Sequence, residues 1–127
     1  MNEYILSLGS NINPEWYISK ARSELHKIAD IIKESPFVYT KPLLFADQPD
    51  FLNGVILIQS QFDIPTLKDQ LMIIETRLGR VRSFEKNGPR TIDLDIIVSN
   101  NKVVDDDVYE RDFLQNAILS VKPEFKF

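Results

Sequence analysis

Cysteine is absent from this 127-residue sequence, and histidine nearly so. Without cysteine there is no disulfide framework, no thiolate nucleophile and no thiolate metal site, and the redox compartment is left open. The one histidine, His26, falls inside the first predicted helix and reads as a surface residue, which argues against histidine-dependent triads and zinc sites. No GxxxxGK[ST] phosphate loop or dinucleotide glycine fingerprint occurs. No apolar run approaches the length of a membrane span. Met1-Asn2-Glu3-Tyr4 has no basic stretch ahead of an apolar core, so a secretory leader is not expected and a cytoplasmic location is. Basic charge is not in excess. The formal net charge is -4 and the isoelectric point is near 5.0, which speaks against nucleic-acid binding through bulk charge.

What is present is ordinary for a single globular domain spanning residues 1–127, with 43% hydrophobic and 27% charged residues. Residues 3–9 alternate and run into Gly9-Ser10-Asn11, a strand ending in a turn. Asn13-Pro14-Glu15 reads as a helix start, with a capping side chain followed by proline and an acid. Ile18, Ala21, Leu25 and Ile28 continue that helix to about Asp30. Residues 31–40 are β-rich and interrupted by Pro36, as suits an edge or a bulge. Residues 51–60 form the clearest strand. Leu67, Leu71, Ile74 and Leu78 mark a helix that Gly79 stops. A strand over 91–98 and a short helix over about 108–120 complete the order. This predicts an α+β, ferredoxin-like fold: a mainly antiparallel sheet with helices packed on one face.

The chemistry concentrates in Gly88-Pro89-Arg90-Thr91-Ile92-Asp93-Leu94-Asp95. In a strand, Ile92, Leu94, Ile96 and Val98 share a core face, which puts Asp93 and Asp95 together on the other, roughly 6–7 Å apart. Two such carboxylates suit hard divalent cations completed by phosphate and water, or they simply face solvent on an open sheet. Between residues 77 and 90, Arg77, Arg80, Arg82, Lys86 and Arg90 are opposed only by Glu85, a net +4. Guanidinium groups are good phosphate ligands, although a charge run is also compatible with a solvated loop. Phe51 and Asn53 point the same way along their strand, offering an aromatic ring and an amide to a flat hydrogen-bonding ligand, or else serving as a core aromatic and a surface amide.

These residues resemble the 6-hydroxymethyl-7,8-dihydropterin pyrophosphokinase family. The resemblance is carried in order by Leu8-Gly9-Ser10-Asn11, Tyr39-Thr40 with Pro42, Asp47-Gln48-Pro49-Asp50-Phe51-Leu52-Asn53, the set Glu75, Gly79, Arg80 and Arg82, the stretch Gly88 to Asp95, and Arg111-Asp112-Phe113. It implies transfer of pyrophosphate from ATP to the pterin alcohol in folate biosynthesis, giving AMP. It implies that Asp93 and Asp95 hold two magnesium ions, and that Arg80, Arg82 and Arg90 meet the phosphates, the first two on a mobile lid. Glu75, Ile96 and Arg111 would lie on the nucleotide side. Gly9, Thr40, Leu43, Phe51, Asn53 and Phe113 would form the pterin pocket. The partners implied are ATP and the pterin, with neither nucleic acid nor membrane.

The sequence departs from the family where a Val-Pro-His-type segment usually precedes the final Arg-x-Phe. Here Asn101-Lys102-Val103-Val104-Asp105-Asp106-Asp107-Val108-Tyr109-Glu110 stands in its place, without proline or histidine. The expected consequence is weaker nucleotide binding with pterin binding intact, and the acidic run would repel a nucleotide if it lay nearby. Two other readings remain open at this level: a relative that binds these ligands without transfer, and a ferredoxin-like RNA-binding module.

Overall fold

The computed structural model describes residues 1–42, 47–80 and 90–127. The elements run β1 (Asn2–Ser10), α1 (Pro14–Leu25), β2 (Asp30–Glu34), β3 (Val38–Thr40), β4 (Phe51–Ser60), α2 (Ile64–Arg77), β5 (Asp93–Ser99), β6 (Lys102–Val103), α3 (Asp107–Glu110) and α4 (Asp112–Val121). The six strands form one antiparallel sheet in the order β2-β4-β1-β5-β6, with β3 also pairing to β4. β1 and β4 are central and lie deepest in the protein. Since β2 and β3 pair one after the other with β4, they count as one broken edge strand, and the resulting βαββαβ path and antiparallel sheet are those expected of an α+β, ferredoxin-like fold. Among the described residues, no helix is long and apolar enough to cross a membrane.

Alternation along the strands divides the core in two. Tyr4, Leu6 and Leu8 of β1 join Ile56 and Ile58 of β4 and the stripes Ile18, Ala21, Leu25 and Leu67, Leu71, Ile74 of α1 and α2. Ile5, Val55 and Leu57 face the other way and pack under Leu114, Ile118 and Val121 of α4. The two long helices thus share one face as expected, while α4 covers part of the opposite face. Val98 corrects the sequence reading. It belongs to the α4 side, because the pairing of β5 with β1 shifts register between Ile5 and Leu6 and flips the strand's phase after Ile96.

The helix ends show which local signals hold. Asp63 caps α2, its carboxylate accepting the Thr66 amide at 3.0 Å. Gly79 follows the helix at φ +82°, a conformation that glycine adopts without penalty. α1 ends at Leu25, short of Asp30, which already opens β2. Asn13 does not cap α1 through its side chain. It takes the left-handed conformation (φ 44°), which asparagine tolerates, and Pro14 starts the helix.

Candidate active site

The register of the central strands builds the site. Across β4, β1 and β5, Asn53, Gly9 and Asp93 stand abreast; two residues along, Val55, Ser7 and Asp95 do the same. Side chains two apart share a face, so Asn53, Gly9, Ser7, Asp93 and Asp95 open on the side that carries α4. Because α4 begins only at Asp112, it leaves this end of the face uncovered. The result is a concave site of about 530 Å³, lined by Gly9, Phe51, Asn53, Arg80, Arg90, Asp93, Asp95, Asp105, Asp107, Arg111 and Phe113 among others. A smaller hollow of about 200 Å³ adjoins it, lined by Lys68, Leu71, Met72, Glu75 and Ile96, and shares Arg80, Asp93 and Asp95 with it.

One half of the larger cavity carries an aromatic ring and an amide, the groups that suit a flat ligand. Phe51 and Asn53 both line it, as their spacing predicts, and the Asn53 amide donates to Thr40 Oγ1. Thr40 therefore reaches the site through Asn53. Gly9 lies so close that a Cβ there would sit 2.8 Å from Asn53 Oδ1. Gly9→Ala should therefore push the Asn53 amide out of place and weaken binding of a flat, hydrogen-bonding ligand here by about tenfold, the worth of one well-made hydrogen bond, with binding of a phosphate ligand in the charged half unchanged. Calorimetry with each ligand separately checks this. Phe113 lies across the cavity with the Arg111 guanidinium 4.5 Å over its ring. Arg90 is 5.9 Å over the Phe51 ring.

The other half is charged. Arg80 donates to Glu75 Oε2 at 2.5 Å and to Asp93 Oδ1 at 2.7 Å, and Arg90 donates to Asp93 Oδ2 at 3.0 Å. The Glu75 carboxylate, buried on α2, also accepts the Leu94 amide at 2.8 Å. Burial pulls the Arg80 guanidinium toward the neutral form, but Asp93 and Glu75 outweigh it and raise its pKa. Burial lowers the Arg111 pKa, opposed by Asp107. Asp95 is different: solvent reaches its side chain, yet protein surrounds it on the cavity floor. That partial desolvation, then the charges of Asp93, Glu75 and Asp105, push its carboxyl up to about 7, with Arg80 opposing.

The donor set fits a hard divalent cation shared with a ligand. Among the described residues no three acids or histidines cluster to cage a metal on their own. Asp93 and Asp95 offer two carboxylates on one open face, and the repulsion on Asp95 is what a cation would relieve. A magnesium ion held by one or two carboxylates takes its remaining ligands from phosphate and water.

Most residues singled out in the sequence converge here. Leu43 and Arg82, with most of the 80–90 loop expected to act as a lid, lie outside the described residues. His26 sits exposed at the end of α1, away from these cavities. Sequence reasoning did not place Asp105 and Asp107 in the cavity, although it noted their acidic run. Nor did it see that Glu75 is buried and bonded to Arg80.

The sequence profile of a family described as 7,8-dihydro-6-hydroxymethylpterin-pyrophosphokinase matches residues 5–123. Among similar proteins, the folic acid synthesis protein fol1 of Schizosaccharomyces pombe is 37% identical over 130 residues, covering 94% of this chain and 18% of its own length. The 2-amino-4-hydroxy-6-hydroxymethyldihydropteridine pyrophosphokinase of Haemophilus influenzae is 32% identical over 120 residues, covering 86% of this chain and 74% of its own length. That of Campylobacter jejuni is 36% identical over 106 residues, covering 78% and 64%. The chain thus spans less than a fifth of the fungal relatives (18% and 17%) and a much larger share of the bacterial ones.

Proposed function

The chain belongs to the 7,8-dihydro-6-hydroxymethylpterin-pyrophosphokinase family, and on that premise we propose that its 127 residues act as one cytoplasmic domain that transfers pyrophosphate from ATP to 6-hydroxymethyl-7,8-dihydropterin. The observation that carries this reading is the pair of adjoining cavities with Arg80, Asp93 and Asp95 at their junction. The amide-and-aromatic cavity suits the pterin and the smaller hollow, with Leu71, Met72 and Ile96, suits the nucleoside. Reacting phosphorus would then lie between them.

In this reading Asn53 hydrogen-bonds the pterin edge, while Phe51 and Phe113 flank its rings. Gly9 lines that pocket and Thr40 holds the Asn53 amide, while Leu43 is assigned to it on the resemblance alone. The hydroxymethyl oxygen is itself the nucleophile, so the chain needs none of its own. A bond forms from that oxygen to the β-phosphorus as the hydroxyl proton passes to solvent, the bond from the β-phosphorus to the oxygen shared with the α-phosphate breaks, and AMP leaves with that oxygen. Arg80, Arg82 and Arg90 neutralise charge on the phosphates, with Glu75, Ile96 and Arg111 on the nucleotide side. Asp93 and Asp95 would hold the two magnesium ions that screen the phosphates and orient them for in-line attack. What the chain contributes is alignment and charge, the main sources of rate in phosphoryl transfer.

The test is to incubate the protein with ATP, magnesium and the pterin alcohol. AMP and pterin diphosphate are expected; ADP would overturn the assigned reaction. One observation favours a second reading, in which the ligands bind but no transfer follows. Asp105 and Asp107 line the larger cavity and oppose a polyanion there. Pterin binding with no AMP would establish that reading. Asp105→Asn removes one of the charges acting on Asp95. It is expected to tighten ATP binding about threefold to tenfold at low magnesium and less at saturating magnesium. Titration of the variant with ATP checks this, and weaker binding would mean that the carboxylate recruits cations.

A further inference from the structure

Asn11 follows β1, lines neither cavity, and is only 3% exposed. Its side-chain amide is nevertheless almost fully engaged. Nδ2 donates to Gln48 Oε1 at 2.7 Å and to the Pro49 carbonyl at 3.2 Å. Oδ1 accepts the Arg90 amide at 2.9 Å, and the Asn11 amide donates to the Arg90 carbonyl at 3.3 Å. One buried residue therefore ties together three segments far apart in the chain: the turn after β1, the loop entering β4, and the segment entering β5.

Each tie lies just upstream of site residues. Two residues after Pro49 comes Phe51, and then Asn53. Three residues after Arg90 comes Asp93, and then Asp95. Arg90 itself reaches Asp93 and lies over Phe51. The aromatic half of the site and its charged half therefore meet backbone to backbone through the Asn11 amide.

We infer that Asn11 is a positioning residue that sets the pterin-side half of the site in register with the phosphate-side half. The inference rests on the proposed transfer reaction. Each half keeps its own ligand contacts without Asn11, so affinity for either ligand alone should change little. The distance and angle between the attacking oxygen and the phosphorus depend on the tie, and a misplacement of about 1 Å costs about 10²-fold in rate. A buried amide with this many partners has no equivalent in alanine, serine or aspartate. Aspartate keeps the acceptor for the Arg90 amide but loses the donor to Pro49.

The experiment compares wild type, Asn11→Ala, Asn11→Asp and Gln48→Glu in the full chain, with folding checked by circular dichroism. For Asn11→Ala, kcat is expected to fall about 10²-fold, with dissociation constants for the pterin and for a non-hydrolysable ATP analogue within about threefold of wild type. Asn11→Asp should lie between, and it carries the test if the alanine variant does not fold. Gln48→Glu, which keeps the acceptor for Asn11, should stay near wild type. Amide hydrogen exchange at residues 47–50 and 90–93 is read on the same ligand-free proteins, and should speed up in both segments in Asn11→Ala. An unchanged kcat, or a loss confined to binding, overturns the inference while wild-type AMP formation leaves the transfer reading standing. If wild type makes no AMP, the transfer reading fails, and the exchange data alone decide whether Asn11 couples the two segments: faster exchange in only one of them, or in neither, overturns it.

Discussion

Replacing Asp95 with asparagine is expected to lower AMP formation by at least about 10³-fold while making the magnesium-free protein more stable. Both effects come from one carboxylate. In the ligand-free site Asp95 is partly desolvated and sits among Asp93, Glu75 and Asp105, and together, desolvation foremost, these raise its carboxyl from 3.8 to about 7. A raised carboxyl means that the folded chain holds a proton the unfolded chain would release. Its contribution to stability is present below about pH 3.8 and lost as pH rises through about 7. The substituted amide is neutral throughout, so wild type and Asp95→Asn should melt alike near pH 4. By pH 8 the variant should melt higher. Added magnesium, with ATP, should reverse the order by stabilising only the wild type. Thermal melts at the two pH values, with and without magnesium–ATP, check the stability half, and AMP production checks the other. An active variant would remove Asp95 from the metal set. Equal melting temperatures at pH 8 would show that the crowding of acids costs the fold nothing.

How much of this was legible in the sequence depends on the range of the interaction. The acid pair was, because alternation over Ile92, Leu94 and Ile96 fixes the side on which Asp93 and Asp95 emerge. Phe51 and Asn53 were, for the same reason. Val98 was misassigned, since Ile96-Ile97-Val98 is apolar throughout and a bulge leaves no mark in such a run. The capping role given to Asn13 failed because asparagine serves equally well as a cap and in the left-handed conformation it adopts here. The one helix expected near 108–120 is two, α3 and α4, broken where Arg111 takes an extended backbone, and the stripe of α4 does not say which face of a two-sided sheet it covers. Asp105 and Asp107 stood out as charge, and only the hairpin between β5 and β6, followed by α3, brings Asp105 near Asp95 and Asp107 near Arg111. The amide of Asn11 reaches partners 37 and 79 residues away, a link that no local pattern carries. Glu75, expected on the nucleotide side, lines the smaller hollow, and no local pattern shows that its carboxylate also turns inward to Arg80 and the Leu94 amide.

That inward-turned carboxylate makes Arg80 the second position where a single change should do most damage. Its guanidinium links Glu75 on α2 to Asp93 on β5, and its side chain is only 13% exposed against 4% for Glu75 and 27% for Asp93. Arg80→Ala should lower AMP formation by about 10²–10³-fold, the usual cost of removing one donor from a developing charge. It should also destabilise the fold by about 3 kcal/mol, because a buried carboxylate loses a cationic partner. Glu75 retains the Leu94 amide, and this limits the loss. The two consequences separate in Glu75→Gln. That variant keeps the size of residue 75 and one oxygen in the place of Oε2, which accepts both Arg80 and the Leu94 amide, but removes the negative charge that holds Arg80. If Glu75 serves to hold Arg80 in place, the variant should lose turnover without losing as much stability. Lysine at position 80 keeps the charge but not the planar guanidinium whose Nη1 bonds both Glu75 and Asp93, so it should recover part of the ATP affinity and little of the rate. Denaturant melts and AMP assays on the three variants check these orderings. Full activity in Arg80→Lys would show that position 80 supplies only charge, and that the bonded link from α2 to β5 plays no part in aligning the phosphates.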